Sequence, residues 1–376
     1  MRRILLTGAT GTIGSAVVPR LLENPGDRVT LLVRARDDAQ LQSRRASMLA
    51  YWGIGEADPR SRRLEFLRGD IEQPHFGLGE AGFDTLAHST THAIHAAASV
   101  KLNMSLEQAR STAVQPTRTL LDLARRAAAA GTLRKLDLVS TVGVWGRTPG
   151  VMPERPLPEV RDFHNTYEEA KAEAERVLWQ EAAGLPITVH RPSMVVGETG
   201  SGRVIHFQVF YHLCEFLSGA RTFGIMPGLG VTRLDTVPVD WVAAAICWSS
   251  LSEQQEQRIL HLCSGPALAI ALPRLQAAVR QAWVRAGRPL PRLKPVNRRL
   301  LERLIPAVGW LGGPGAQRAL RALPPVLAYL GEDQGFANDQ SAAALARTGL
   351  PVPAIDSYLD AVLGYYLGES ALARQP

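Results

Sequence analysis

The chain has 376 residues, of which 46% are hydrophobic and 20% are charged, and its formal net charge at neutral pH is +7. This composition predicts a soluble globular protein, and the length favours one large α/β domain with a smaller appended lobe. Because the sequence contains no run of 18 apolar residues, a membrane-spanning helix is not expected.

The positive charge comes mainly from arginine, since only four lysines occur. The basic residues are spread along the chain without interleaved aromatic residues, which argues against nucleic acid as a partner. A small acidic molecule or an acidic carrier protein fits the charge. Three widely spaced cysteines (Cys214, Cys247 and Cys263) and the lack of a secretory signal pattern predict a cytoplasmic protein without disulfide bonds or a metal site.

Short apolar runs alternate with amphipathic stretches through the first 190 residues. This pattern predicts βαβ units and a doubly wound parallel sheet of the Rossmann type, which binds ligands at the carboxyl ends of its strands. The predicted strands are residues 3–7, 28–34, 64–68, 92–96, 135–140 and 187–191. The predicted helices are residues 14–23, 38–51, 117–130 and 167–183.

A glycine-rich turn follows the first predicted strand and opens the first helix. Glycines at this spacing allow a tight turn, and the helix N-terminus offers amide donors to a pyrophosphate. The turn therefore predicts a dinucleotide site. Its predicted cofactor-binding residues are Thr7, Gly8, Thr10, Gly11, Thr12, Ile13 and Gly14.

The residues after the second and third strands predict which dinucleotide binds. Arg34, with Arg36 as a second contact, stands where NAD-specific sites place a carboxylate, and an arginine suits the 2′-phosphate of NADP(H). Asp70 and Ile71 follow the third strand, where a carboxylate can accept a hydrogen bond from the adenine amino group. A loop-capping role for Asp70 is the alternative.

Tyr167 and Lys171 are four residues apart on a predicted helix, so their side chains share one face. A lysine ammonium beside a tyrosine favours the phenolate, and it can also hold the nicotinamide ribose. Thr141, at the end of the fifth strand, can donate a hydrogen bond to the substrate oxygen, and we favour it over Ser140. Pro192 and Ser193, after the next strand, are predicted to pack beside the nicotinamide.

The pattern changes after Pro192. Residues 196–237 are rich in glycine, proline and aromatic side chains, a helix is predicted at 238–249 and a strand at 258–263, and the remainder is mostly helical. We expect an NADP-binding domain of residues 1–195 plus about 235–265. Residues 196–234 and 266–376 would form a substrate-binding lobe.

Taken in order, these motifs resemble the extended short-chain dehydrogenases/reductases over about residues 1–265. The shared motifs are the glycine-rich turn, His95-Ala96-Ala97-Ala98, Ser140-Thr141, Tyr-x-x-x-Lys and the run from Arg191 to Gly197. The resemblance implies that Thr141, Tyr167 and Lys171 are the catalytic trio. It also implies that Ala96, Ala97 and Ala98 lie against the cofactor.

Within this superfamily the chain looks most like the male-sterility type branch of thioester and fatty acyl reductases. The features that it shares with this branch include Leu32-Val33-Arg34, the alanine-rich segment 95–100 and Tyr365-Tyr366. The resemblance implies NADPH-dependent reduction of an acyl thioester, on coenzyme A or a carrier protein, to an aldehyde and on to an alcohol in some members. One departure is Ala113, which stands where the family usually has Asn, so that either another group fills its role or the site is less active.

Other interpretations of the site stay open at this point. The same scaffold serves carbonyl or hydroxysteroid-type dehydrogenases and sugar-nucleotide epimerases or dehydratases, and a sensor that binds NADP without turnover is a further alternative. The basic segment 285–303 is a candidate contact for coenzyme A phosphates or a carrier. Residues 304–330 are candidates for an acyl tunnel or for peripheral membrane contact, with core packing as the alternative.

Overall fold

The structure is a computed structural model that describes residues 1–101, 104–158, 162–252, 258–296 and 334–372. Seven parallel strands form its central sheet, and their aliphatic runs are buried because helices cover both faces. These strands are β1 (Arg3–Thr7), β2 (Arg28–Val33), β3 (Leu64–Arg68), β4 (His92–His95), β5 (Lys135–Val139), β7 (Ile187–Pro192) and β12 (Arg258–Leu262). The shorter strands are β6 (Gly150–Met152), β8 (Met194–Val196), β9 (Ile225–Pro227), β10 (Arg233–Leu234), β11 (Thr236–Pro238), β13 (Ile270–Ala271), β14 (Lys294–Val296) and β15 (Gln334–Phe336).

The strand order of the central sheet is β12-β7-β5-β4-β1-β2-β3. The chain winds outward from β1 in one direction and then returns to β4 on the other side, so β1 and β4 flank the switch point of the sheet. Ligands of doubly wound folds bind in the crevice at this point. The predicted Rossmann-type fold is confirmed, whereas the predicted division into two domains stays a prediction.

Helices pack on the sheet and build the remainder of the chain. They are α1 (Thr12–Leu21), α2 (Asp38–Trp52), α3 (Gly79–Ser89), α4 (Leu106–Ala129), α5 (Thr166–Glu181), α6 (Val209–Ser218), α7 (Val239–Leu251), α8 (Gly265–Leu268), α9 (Leu272–Arg285), α10 (Asp339–Ala346) and α11 (Leu359–Leu372). Helix α3 was not predicted, because glycines at its start weaken helix propensity. Its buried residues Phe83, Leu86 and Ala87 nevertheless follow helical spacing.

Helix α4 begins eleven residues before the predicted start at 117, and Pro116, which precedes that start, lies in its interior. The prediction was wrong because it treated the proline as a start signal. Ser105 begins the helix instead through a capping box with Gln108, in which each side chain bonds the other's backbone amide. Burial of Ala109 and Val114 at 1% and 4% exposure stabilises the turns before the proline.

A second apolar cluster lies outside the sheet and joins α6, α9 and α11. Its buried members include Phe210, Tyr211, Leu275, Trp283 and Tyr366. In the described part of the chain, no helix is long and apolar enough to cross a membrane. Residues 297–333 lie outside the described residues, and with them the candidate acyl-tunnel or membrane segment 304–330 and part of the basic segment 285–303.

Candidate functional site

The glycine-rich turn joins β1 to α1 at the switch point of the sheet. Gly8 has a φ of 80°, and a Cβ atom there would lie 2.5 Å from the Ala97 backbone nitrogen. A Cβ on Gly14 would lie 2.2 Å from the Gly8 carbonyl oxygen. Both positions therefore require glycine, because any side chain would collide with backbone that cannot move away.

The turn fits a pyrophosphate. Gly11 is the N-cap residue of α1, and no side chain of the described residues caps this helix end. The amides of Thr12, Ile13 and Gly14 lie in its first turn, where backbone N–H groups lack intrahelical acceptors. A Cβ on Gly11 would meet only the Gly8 carbonyl oxygen, at 3.2 Å, so the space over the turn is open to a ligand.

Thr7 ties the ends of β1 and β4 together at the same edge. Its Oγ1 lies 2.8 Å from His95 Nδ1 and accepts a hydrogen bond from the Ala97 amide at 3.4 Å. Since the amide can only donate, the Thr7 hydroxyl is free to donate to His95. Burial, together with the nearby charge of Lys171, lowers the pKa of His95 to about 3. The predicted cofactor segment Ala96–98 therefore begins from a fixed strand end.

Basic side chains gather beyond β2 and β3. Arg34 is exposed and forms an ion pair with Glu72 at 3.2 Å, and Arg36 is also exposed. Arg68, which sequence reasoning missed, pairs in register with Val33 and so ends its strand beside Arg34. The signal for it was available, because it ends the predicted third strand.

Asp70 caps its own loop. Its Oδ1 accepts a hydrogen bond from the Glu72 amide at 3.1 Å, which is the loop-capping role named as the alternative. The contact of Asp70 with the adenine amino group stays a prediction. Ile71 is partly buried against the apolar cluster beneath the sheet, so it supports this edge.

Tyr167 lies in the first turn of α5 and is half-buried. Its phenol shares a hydrogen bond with the Thr141 side chain. Burial raises the pKa of Tyr167, the charge of Glu168 raises it further, and the hydrogen bond with Thr141 acts in the opposite direction. The Thr141 hydroxyl in turn accepts from the Gly143 amide at 3.1 Å, which orients it. The phenol therefore stays protonated near neutral pH and can supply a proton.

Lys171 lies one helical turn after Tyr167 and is only 6% exposed. Its Nζ donates to the Val139 carbonyl oxygen at 2.9 Å, at the end of β5. Burial lowers the pKa of Lys171 to about 8, although the Glu175 carboxylate opposes the shift. The structure thus brings Thr141, Tyr167 and Lys171 together at the carboxyl edge of the sheet.

A buried pair beside Tyr167 was missed by sequence reasoning. Glu168 accepts hydrogen bonds from the His164 backbone amide at 3.1 Å and contacts the His164 Nδ1 at 2.7 Å. The side chain of Glu168 also packs on Gly143, where a Cβ atom would lie 3.1 Å from its Cγ. The pair therefore holds the loop before α5 against the turn that follows Thr141. Its only sequence signal is the His-x-x-x-Glu spacing.

The remaining predicted positions surround this edge. Pro192 ends β7, and the Ser193 amide donates to the Leu262 carbonyl oxygen at 3.0 Å. Ala113 is 7% exposed within an apolar cluster that includes Ala109 and Ala170. Among the described residues, no group of three or more His, Cys, Asp or Glu side chains is arranged to hold a metal ion.

The sequence is similar to those of known proteins. The chain is 33% identical over 256 residues to an isonitrile lipopeptide synthase of Streptomyces coeruleorubidus, and the aligned region covers 67% of this chain and 17% of the relative. It is 31% identical over 281 residues to the aldehyde reductase lnaA of Aspergillus flavus, which covers 71% of this chain and 25% of the relative. The chain therefore spans a quarter or less of the length of these curated relatives.

Solved structures share the fold over nearly the whole chain. The terminal R domain from the myxalamid PKS-NRPS biosynthetic pathway superimposes with a TM-score of 0.80 at 25% identity, covering 99% of this chain and 91% of that one. A thiolation-reductase di-domain from an archaeal non-ribosomal peptide synthetase superimposes with a TM-score of 0.75 at 19% identity, covering 99% and 76%. The second likeness shows the fold alone.

A family model described as Male sterility protein matches residues 6–246, which is well over half of the chain. This match includes the glycine-rich turn, Thr141, Tyr167 and Lys171. The predicted resemblance to the extended short-chain dehydrogenases/reductases is confirmed, and so is that to their male-sterility type branch. The chain therefore belongs to the male sterility protein family, whose members carry an NAD(P)-binding domain.

Proposed function

We propose that this chain reduces an acyl thioester, bound to a carrier protein or to coenzyme A, to an aldehyde with NADPH. The observation that carries the proposal is the grouping of Thr141, Tyr167 and Lys171 at the sheet edge that also holds the glycine-rich turn. A dinucleotide whose pyrophosphate lies on the turn extends along this edge toward Tyr167.

Each member of the trio has a separate task in the proposed reaction. NADPH, when bound, would supply a hydride to the thioester carbonyl carbon. Thr141 and Tyr167 donate hydrogen bonds to the carbonyl oxygen, on which negative charge develops. Tyr167 then transfers its proton to this oxygen, and the ammonium of Lys171 stabilises the phenolate that remains. The resulting thiohemiacetal collapses to the aldehyde and the free thiol.

The net charge of the chain and the apolar core of the substrate lobe both support a carrier-bound thioester as the substrate. The net charge of +7 favours encounter with an acidic partner, and the lobe around Tyr211 and Tyr366 is largely apolar. One of the two solved relatives contains a thiolation domain beside its reductase domain, and the other is a terminal R domain. These domain arrangements belong to those proteins, and they motivate the same class of substrate here.

The preference for NADPH over NADH rests on the basic edge beyond β2 and β3. Arg34 and Arg36 are exposed, and Arg68 ends the neighbouring strand. Arg34 forms an exposed ion pair with Glu72. Because an exposed ion pair contributes little to stability, a 2′-phosphate can readily replace Glu72 as the partner of Arg34. A doubly charged phosphate at this edge would be attracted by the positive charges of all three guanidinium groups.

The proposal is tested by following cofactor oxidation with purified protein and a panel of acyl-coenzyme A and acyl-carrier thioesters, aldehydes and ketones. NADPH and NADH are compared in parallel. We expect thioester-dependent oxidation with NADPH and a loss of at least about a hundredfold in kcat for Tyr167→Phe, because general acid catalysis contributes about 10²–10⁴-fold.

The matched control is Tyr51→Phe, which removes the hydroxyl group of a half-buried tyrosine on α2, away from the trio. This variant should retain full activity. Turnover with ketones or aldehydes alone would replace the thioester proposal with a carbonyl dehydrogenase on the same trio. Binding of NADPH without any turnover would favour a sensor.

A further inference from the structure

A short segment of the substrate lobe lies directly on the dinucleotide turn. Gln208 Nε2 donates to the Thr12 hydroxyl at 2.8 Å, and His206 Nε2 lies 3.2 Å from the Thr10 carbonyl oxygen. Because a carbonyl oxygen only accepts, this nitrogen of His206 carries the hydrogen. We call residues 206–208 the bridge.

The middle residue of the bridge points the other way. Phe207 packs against Tyr211 and Tyr366, with ring centroids 4.9 Å away in each case. The two polar residues contact the dinucleotide turn, and the aromatic residue between them packs into the core of the lobe. The bridge therefore connects the turn to α6 and α11 through named contacts.

The bridge determines how the Thr12 hydroxyl is used. A hydroxyl has one hydrogen to donate and two lone pairs that accept. The amide of Gln208 takes one lone pair, which leaves the hydrogen of Thr12 free to donate. Thr12 is the first residue of α1, at the helix end where the proposed pyrophosphate would lie.

We propose that Gln208 is a positioning residue that orients the Thr12 hydroxyl as a donor to the pyrophosphate of the cofactor. It acts through Thr12 and from outside the glycine-rich motif, and so makes cofactor affinity depend on the substrate lobe. The inference rests on the proposed dinucleotide site.

The test measures the Kd of NADPH for the full chain by fluorescence titration, which requires no turnover. Gln208→Met keeps the shape of the side chain and removes its polar atoms, and we expect binding about three- to tenfold weaker. Gln208→Glu is the sharper variant. Its carboxylate only accepts, so the Thr12 hydroxyl must turn its hydrogen away from the phosphates, and we expect a further loss of about tenfold.

A double-mutant cycle separates orientation of the hydroxyl from a merely structural role. In a Thr12→Val background the hydroxyl is gone, so the additional effect of Gln208→Met on the Kd should disappear. The melting temperature of each variant without cofactor is measured alongside, and we expect it to stay within about 2 °C of wild type.

The outcomes distinguish this inference from the proposed cofactor site. If wild type binds neither NADPH nor NADH, the proposed site and the inference both fail. If wild type binds NADPH and both Gln208 variants bind it as tightly as wild type does, the proposed site stands and the inference is wrong. Equal losses from Gln208→Met with and without Thr12 would also overturn it, because they would show that Thr12 is not the intermediary.

Discussion

At the scale of single residues, Lys171 combines burial with a charge-dependent task. Its pKa of about 8 results from burial, which penalises the ammonium, and Glu175 only partly offsets this effect. The group is therefore cationic below pH 8 and neutral above it. Both of its proposed tasks, holding the ribose and stabilising the Tyr167 phenolate, favour the cationic form.

This titration predicts the pH dependence of cofactor binding. The affinity for NADPH should fall by about three- to tenfold between pH 7 and pH 9, because with a pKa of about 8 the ammonium fraction of Lys171 falls about tenfold over this range. A fluorescence titration at each pH measures it. Lys171→Met should flatten the dependence, and Tyr167→Phe should preserve it. A wild-type Kd that is constant across this range would contradict the assignment of Lys171.

The trio was predictable from the sequence because its members sit at fixed distances from helix and strand ends. The pair of His164 and Glu168 was not predicted, although both side chains are only 3% exposed. The sequence shows their spacing but not that Gly143, from a different segment, packs on Glu168. Burial of an ionisable pair depends on what covers it, and this is decided by the fold.

At the scale of elements, a carboxylate from a distant part of the chain caps the N-terminus of a helix. Glu154, which follows β6, accepts hydrogen bonds from the amides of Gln340 and Ser341 at 2.8 and 3.0 Å. These amides lie in the first turn of α10, and the Ser341 hydroxyl also donates to Glu154. Glu154 therefore takes the place of a local cap, and its negative charge interacts favourably with the positive end of the helix dipole.

Removal of this carboxylate should destabilise the protein without changing the trio. We expect Glu154→Ala to lower the free energy of unfolding by about 1–3 kcal/mol, because three donors, two of them on the buried Ser341, lose their acceptor. Urea denaturation measures the change. Glu154→Gln retains an acceptor and should lose about 1 kcal/mol or less. If the alanine variant is as stable as wild type, Glu154 does not hold α10.

At the scale of the whole molecule, buried charged and neutral groups are matched across long distances in sequence. Arg191 and Glu175 are both fully buried and form a two-pronged ion pair, and His261 Nε2 lies 3.3 Å from the Arg191 guanidinium. Burial and this positive charge lower the pKa of His261 to about 4, and His95 has a pKa of about 3. The folded protein therefore requires both imidazoles to be neutral.

This requirement predicts a loss of stability in acid. Both histidines titrate near pH 6.5 when unfolded, so stability is complete above that pH and declines as the pH falls toward 4 and 3. At pH 5 each histidine should cost about 2 kcal/mol relative to pH 7, since each pKa unit corresponds to about 1.4 kcal/mol. Urea denaturation at both pH values measures the difference.

A substitution assigns part of this acid effect to one histidine. His261→Asn should be less stable than wild type at pH 7 but should lose about 2 kcal/mol less between pH 7 and pH 5. The control is His88→Asn, because His88 is exposed on α3 and should leave the acid effect unchanged. An unchanged acid effect in His261→Asn would exclude His261 as a source.

The sequence by itself determined the sheet type, the dinucleotide turn, the positions of Thr141, Tyr167 and Lys171, and the family resemblance. Each of these follows from local periodicity or from a short motif whose geometry comes from a single strand–turn–helix unit. The start of α4 was also encoded locally, in Ser105 and Gln108, but the proline at 116 gave a competing signal. Only the tertiary structure decided that Gln208 contacts Thr12 across 196 residues and that Glu154 caps α10. Contacts of this kind depend on how packed elements meet in space, and no local spacing in the sequence records that.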